Sequence, residues 1–280
     1  MAHRRPTLKK RYGQHHLVRG DLCRPLLDFL RPAGQRVVEI GPGGGVLTRE
    51  LLAAKARVLA FEVDLDWGFR LPALLDRSHG AVGEATADLA VVVTDALKQP
   101  WSRLPVGTLV TGNLPFNVGT RMIETLLPHH ERVPRAAFMV QKEVADRMVA
   151  PPGSKTYGVL SVLVALHARA VDLGSIKPGS FRPPPKVSAG FVGLELRPCP
   201  YADEELADFH ALVRLAFAQR RKTLRNTLGS GWGRDVALTA LERAGIDPGR
   251  RAETLGLDDF EQLHHSHRRL VHARGCQSAR

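Results

Sequence analysis

The chain has little from which to build a covalent or metal framework. Its three cysteines, Cys23, Cys199 and Cys276, lie far apart among 280 residues with no Cys-x-x-Cys pair, so neither a zinc site nor a disulfide network is indicated. The thiols are expected to be reduced, as in the cytoplasm. No apolar run is long enough to span a bilayer, and Met1 to Arg11 is basic without the hydrophobic stretch of a signal peptide. Internal repeats are lacking. Acidic residues are also in short supply: 40 Lys and Arg face 28 Asp and Glu, a net charge of +12. That excess favours a polyanionic partner. Nucleic acid comes before membrane, because no basic amphipathic stretch carries a strong apolar face with Trp anchors. What remains is a cytoplasmic protein, without metal or membrane, long enough for one large domain and a smaller one.

The residues that are present read as an open α/β sheet. After a helical stretch from Asp21 to Leu30, Arg36 to Ile40 has the apolar run of a buried strand and leads into Gly41-Pro42-Gly43-Gly44-Gly45, ahead of a helical pattern from Val46. Glycines there let the backbone approach a ligand, although Val46 stands where a dinucleotide fingerprint has its third Gly. A second strand, Arg57 to Phe61, ends at Glu62, at the distance where an acid takes the ribose hydroxyls of a nucleoside, with Asp64 as a competitor. A third, Leu89 to Val93, leads to Asp95, placed to accept from an adenine amine; Ser78 to Asp88 reads as a loop insertion. Each acid alone is equally a solvated strand end.

A fourth run, Val106 to Thr111, leads to Asn113-Leu114-Pro115-Phe116. Alone this is an Asn-Pro turn. Chemically it offers an amide oxygen, a carbonyl held outward by the following Pro, and an aromatic face, which suit a planar ring with an exocyclic amine. Four such strand ends along one sheet edge are the layout of a methyltransferase that binds S-adenosylmethionine. No basic cluster sits where a second nucleotide's phosphates would go, which argues against a nicotinamide enzyme.

Longer motifs carry a family resemblance. Tyr12-Gly13-Gln14-His15-His16-Leu17, Glu39-Ile40-Gly41-Pro42-Gly43, Asn113-Leu114-Pro115-Phe116, Gln141-Lys142-Glu143-Val144-Ala145, Ser154-Lys155-Thr156-Tyr157-Gly158, Phe181-Arg182-Pro183-Pro184-Pro185-Lys186-Val187 and Gln219-Arg220-Arg221-Lys222-Thr223-Leu224-Arg225-Asn226 occur in order. Together they resemble the small-subunit ribosomal RNA adenine dimethyltransferases. The resemblance implies a Rossmann-like S-adenosylmethionine-dependent methyltransferase domain with a small α-helical C-terminal domain. It also implies methylation of two adjacent adenines near the 3′ end of the small-subunit RNA, on a partly assembled 30S-type particle, by a monomer.

Carried over motif by motif, His15, Leu17, Gly41, Glu62, Asp95 and Asn113 are expected at the cofactor. Asn113 and the Leu114 carbonyl would hold the target amine, and Phe116 and Phe181 would stack the flipped base. His15-His16 stands where the family usually has Asn-Phe, Phe116 where Tyr is commoner, and Val118-Gly119 where Ile-Ser is usual. The sister branch, the erythromycin-resistance methyltransferases of large-subunit RNA, shares the core, whereas the Gln141, Ser154 and Gln219 segments resemble the small-subunit branch. An RNA-binding assembly factor with incidental catalysis is a third reading. Amine methylation of DNA or of protein glutamine is a fourth, although those enzymes usually carry a second Pro where this chain has Leu114.

The texture changes near Arg197-Pro198-Cys199-Pro200, which divides the expected domains into 1–197 and 198–280. Beyond it, Leu206, Phe209, Leu212, Val213, Ala216 and Phe217 recur at helical spacing as core. Arg220, Arg221, Lys222 and Arg225 then form a basic cluster, with Arg250, Arg251, Arg268 and Arg269 following. They are candidate RNA contacts or a solvated face. His272 to Arg280 reads as a disordered tail.

Overall fold

A computed structural model of the chain describes residues 15–76, 88–115 and 118–278. Residues 12–14 of the first motif, most of the 78–88 insertion and Phe116 lie outside the described residues. The chain divides into two compact units. One comprises the chain up to Asp146 together with His167–Pro198; the other comprises Arg147–Leu166 and the chain from Cys199 onward. Residues 147–166, placed by the sequence reading in the first domain, thus belong to the second: Tyr157, Val162, Leu163 and Leu166 pack into its core.

The first unit is built on a seven-stranded sheet. In chain order its strands are β2 (Arg36–Ile40), β3 (Arg57–Glu62), β4 (Leu89–Val93), β5 (Leu109–Asn113), β6 (Arg135–Gln141), β7 (Ala168–Ile176) and β9 (Ala189–Leu196). They lie in the order β4-β3-β2-β5-β6-β9-β7, with β9 antiparallel to both neighbours and the first five strands parallel. A parallel sheet is covered on both faces, which is why β6 runs Ala136, Ala137, Phe138, Met139, Val140 without a polar break, all five buried. A separate ribbon pairs β1 (His16–Leu17) antiparallel with β8 (Phe181–Arg182), Leu17 opposite Phe181.

The helices α1 (Arg24–Leu30), α2 (Val46–Ala53) and α3 (Leu65–Asp76) pack on the sheet. α4 (Gly119–Leu126) buries Gly119, Met122, Ile123 and Leu126, one helical face. Chain order reverses between β2 and β5, and such a point opens a crevice at the carboxyl ends of the strands. The register there is tight. Gly112 stands opposite Ile40, and a Cβ on Gly112 would sit 2.5 Å from the Ile40 carbonyl oxygen, so only glycine lets these two strand ends lie together.

The second unit is helical. After α5 (Lys142–Met148) and α6 (Val159–His167), which cross its boundaries, it contains α7 (Asp203–Ala216), α8 (Leu224–Trp232), α9 (Arg234–Arg243) and α10 (Leu257–Ser278). Phe209, Leu212, Val213 and Ala216 are buried as their spacing predicts, with Leu206 and Phe217 packed against them. The tail expected from His272 is instead helical, since α10 continues to Ser278.

His264 on α10 is 1% exposed, with its ring 5.0 Å from Tyr201 and 5.6 Å from Phe209. Its Nε2 has no hydrogen-bond partner among the described residues, and burial pushes its pKa down to about 4, helped by His265 and Arg268. A histidine less basic when folded than when unfolded takes up a proton on unfolding. Stability is therefore full above the ordinary histidine range and falls with pH as the folded value is approached. Relative to His264→Phe, denaturant unfolding of the whole chain should show an additional loss on the order of 2 kcal/mol between about pH 6.5 and pH 4. Parallel pH profiles for the two proteins would refute this.

Candidate functional site

The site is assembled where β2, β3 and β5 end. The Gly41 N–H donates to the Phe61 carbonyl at 2.9 Å and the Gly45 N–H to that of Pro42 at 2.8 Å. Gly41, Gly43 and Gly45 have φ of 66°, 48° and 76°, a left-handed conformation that side chains with a Cβ avoid. The turn is held from outside by Glu62, 3% exposed, whose Oε2 accepts from Gly43 N–H at 3.0 Å and Oε1 from Asp64 N–H at 2.9 Å. Burial raises the Glu62 pKa; the amides of Asp64 and Gly43 pull it back, and the nearby Asp64 carboxylate raises it again.

The two histidines are both built in. His16 Nδ1 accepts from Gly44 N–H at 3.0 Å, and its ring centroid lies 4.6 Å from that of Trp67. The place where the family usually has Phe is thus still a packing position, now with a hydrogen bond to the turn that Phe cannot make. His15 Nδ1 donates to the Pro183 carbonyl at 2.8 Å. The His15 carbonyl in turn accepts from Asn113 Nδ2 at 2.7 Å. This bond orients the Asn113 amide, because the nitrogen end is taken and the oxygen must face elsewhere. Leu114 N–H donates to Met139 O at 2.9 Å, and Pro115 O accepts from Val118 N–H and Gly119 N–H at 3.1 and 3.0 Å, so the backbone on either side of the Leu114 carbonyl is anchored. α4 starts without a side-chain cap at Val118.

His15, Leu17, Gly41, Glu62, Asn113 and Leu114 line one cleft, open to solvent, with about 730 Å³ of empty space. Two expected residues do not. Asp95 follows β4, and its Oδ1 accepts from Leu97 N–H at 3.0 Å, capping a single 3-10 turn outside the cleft wall. Phe181 is 2% exposed and packs in the sheet core, so stacking a base there would require its ring to be uncovered. Among the wall residues not singled out as site residues is the acid Glu39, buried in a strand motif and 1% exposed, with Oε2 unpartnered among the described residues. Its signal was an acid inside an otherwise apolar strand.

An adenosyl cofactor with a cationic amino-acid end fits these residues. Two buried carboxyls face the cleft, one with an oxygen still unbonded, and a Cβ on Gly41 would project into open space at its wall.

The basic cluster lies in the second unit, between α7 and α8. Arg220 is tied down there: its Nη2 donates to Lys155 O at 2.7 Å and lies 3.8 Å from Glu253 Oε2. Arg221, Lys222 and Arg225 are exposed. Of the arginines that follow, Arg250 pairs with Asp259 at 3.1 Å and Arg268 with Glu205 at 2.9 Å.

A family model described as ribosomal RNA adenine dimethylase matches residues 5–267. The chain belongs to that family. Among curated proteins it is similar to ribosomal RNA small subunit methyltransferase A of Kineococcus radiotolerans, 41% identical over 92% of this chain and 85% of that one. The protein of the same name from Syntrophotalea carbinolica is 40% identical over 91% and 95%. Two solved structures share the fold: a dimethyladenosine transferase from Plasmodium falciparum (TM-score 0.72, 24% identity, 89% and 96% coverage) and the 23S rRNA methyltransferase ErmE (0.63, 22%, 87% and 96%). The α/β, Rossmann-like architecture expected from the strand pattern is therefore that of the family. Among the described residues no helix is long and apolar enough to cross a membrane.

Glu62 fastens the glycine turn to the end of β3 through backbone amides, so Glu62→Ala releases the turn as well as removing a carboxylate. Hydrogen exchange at Gly43 and Asp64 should accelerate selectively, and affinity for S-adenosylmethionine by calorimetry should fall at least about tenfold, roughly one charge-assisted bond. Unchanged affinity would move the ribose contact to another acid, Asp64 first.

Proposed function

We propose that the cleft binds S-adenosylmethionine and that the protein methylates the exocyclic amines of two adjacent adenosines near the 3′ end of small-subunit ribosomal RNA. The substrate in this reading is a partly assembled small-subunit particle in the cytoplasm, and the enzyme acts as a monomer. The observation that carries the reading is the 2.7 Å bond from Asn113 Nδ2 to the His15 carbonyl, which commits the amide oxygen to accepting. Curated relatives at about 40% identity, named for the small subunit, support that RNA over the large-subunit one.

The bound cofactor supplies an electrophilic methyl group; the chain supplies position and dryness. An adenine amine is a poor nucleophile because its lone pair is delocalised into the ring. Two acceptors, Asn113 Oδ1 and the Leu114 carbonyl, hold its two N–H groups and turn the lone pair out of the ring plane toward the methyl. Leu114 is 1% exposed, so its side chain adds an apolar, buried part to that wall. Alignment and desolvation then carry most of the rate. The proton lost from nitrogen leaves once methylation has made it acidic, so the site needs no strong base. An adenine stacked in RNA cannot reach this position. Flipping it costs a few kcal/mol, offset by about 1–3 kcal/mol from stacking on an aromatic face, the role given to Phe116, with Phe181 second.

Docking of the RNA falls to Arg221, Lys222 and Arg225, while Arg220, exposed but bonded to the Lys155 carbonyl, braces the turn that presents them. Asp95 retains its expected contact with the adenine amine as part of this reading.

Two experiments test it. Mass spectrometric mapping of methylated adenines in both ribosomal RNAs, with and without the protein, should place dimethyladenine in the small-subunit RNA alone, and Asn113→Ala should abolish it while leaving the fold and RNA affinity intact; methylation confined to the large-subunit RNA, or normal turnover by the variant, would overturn the assignment. Separately, Arg221→Ala and Arg225→Ala should each shallow the slope of log affinity against log salt by about 0.7 to 0.9, whereas Arg220→Ala should chiefly lower thermal stability. Equal salt slopes for wild type and variants would return the cluster to a plain solvated surface.

A further inference from the structure

Glu39 is an acidic wall residue of the cleft that the reading above leaves without a task. It sits one residue before the end of β2, opposite Thr111 of β5 and Ala60 of β3. Its side chain is 1% exposed, yet it borders the cleft, and its Oε2 meets no hydrogen-bond donor among the described residues.

What surrounds it disfavours a charge. Glu62 faces it from β3, and Asp64, 1% exposed, follows Glu62. From the turn before α1 comes Cys23, whose thiol is pushed up to about 12 by burial and then by the charge of Glu39 itself. From α2 comes Thr48, whose hydroxyl and backbone N–H favour the ionised form but are outweighed by burial. Among the described residues lining the cleft there is no Lys or Arg. The bases there are His15, donating to Pro183 O, and His16, whose Nδ1 accepts from Gly44 and so carries no proton at that atom. Burial therefore pushes the Glu39 carboxyl up to about 8, with Glu62 adding to the shift.

A buried acid of this kind changes state when a positive charge arrives next to it, because the cation provides the stabilisation that water and the protein withhold. We propose that Glu39 is the cation-sensing carboxyl of the cleft: it is protonated while the cleft is free of cofactor and gives its proton to solvent as the cationic part of S-adenosylmethionine settles beside it. The proposal rests on the cofactor reading above. Its consequence is that cofactor binding and proton release are one event, so affinity rises with pH until the empty cleft has lost the proton by itself.

Calorimetry of the whole protein with S-adenosylmethionine at pH 7, in buffers of different ionisation enthalpy, reads the released proton directly. Close to one proton per cofactor is expected for the wild type. Glu39→Gln, which copies the shape of the protonated acid and keeps both histidines, should release close to none. Wild-type affinity should rise up to about tenfold per pH unit below pH 8 and level off above it, more steeply than that of the variant.

S-adenosylhomocysteine keeps the ammonium and lacks the sulfonium. Release with both ligands assigns the sensed charge to the ammonium, and release with S-adenosylmethionine alone to the sulfonium; either supports the proposal. A readout without ligand comes from stability. A carboxyl whose folded pKa lies above its unfolded one loses stabilisation as pH rises toward the folded value, so Glu39→Gln should melt above the wild type at pH 8. Wild-type binding without proton release, equal release by wild type and variant, or a variant that melts lower would each overturn the proposal. Failure of the wild type to bind S-adenosylmethionine at all would instead remove the cofactor reading beneath it.

Discussion

Two backbone amides, those of Gly43 and Asp64, converge on the carboxylate of Glu62, and the shape of the cleft depends on that meeting. A buried carboxylate is tolerable only when donors satisfy it, and a left-handed glycine turn keeps its conformation only when something holds its free amides. Each solves the other's problem. The result is a ligand wall whose flexible part, the turn after β2, is fastened to its rigid part, the end of β3. His16 adds a second fastening through Gly44, and Asn113 ties β5 to the same N-terminal strand through the His15 carbonyl. Three strand ends and one short ribbon are thereby joined by hydrogen bonds to backbone groups, which depend little on neighbouring side chains.

That construction separates holding from reacting. The Glu62 oxygens and the Asn113 amide nitrogen are already engaged in holding the wall, and the proposed reaction accordingly uses atoms aimed the other way, the Asn113 oxygen and the Leu114 carbonyl. Glu39 is different: it is buried as deeply as Glu62, but its Oε2 meets no donor among the described residues. A cleft with one satisfied carboxyl and one unsatisfied carboxyl is asymmetric in charge demand, and a cationic ligand is the natural complement.

The second unit shows the same economy with its arginines. The sequence presents a run of bases, but Arg220, Arg250 and Arg268 are spent on Glu253, Asp259 and Glu205 within the unit. Surface ion pairs contribute little to stability singly. In and after the turn between α7 and α8, Arg221, Lys222 and Arg225 remain exposed. A cluster of four in the sequence is thus one brace and three outward charges.

Strand runs, the glycine turn and the motif order were legible without coordinates, because each rests on local chemistry: apolar residues repeat in a buried strand, glycine alone takes a positive φ cheaply, and Asn-Leu-Pro places its own carbonyl. The family and its α/β fold follow from such local patterns. What only the tertiary structure decided are matters of who meets whom. The sequence suggested that Phe181 stacks a base, and the structure adds that pairing with Leu17 holds its ring in the core. Residues 147–166 precede two strands of the first unit yet belong to the second, since Tyr157 finds its partner at the Leu255 carbonyl, 98 positions away. His16 looked like a lost packing residue until Gly44 was seen beside it, and Glu39 like an ordinary motif acid until its unmet oxygen was. Burial and hydrogen-bond satisfaction are properties of neighbours, and neighbours distant in sequence become visible only when the chain has folded.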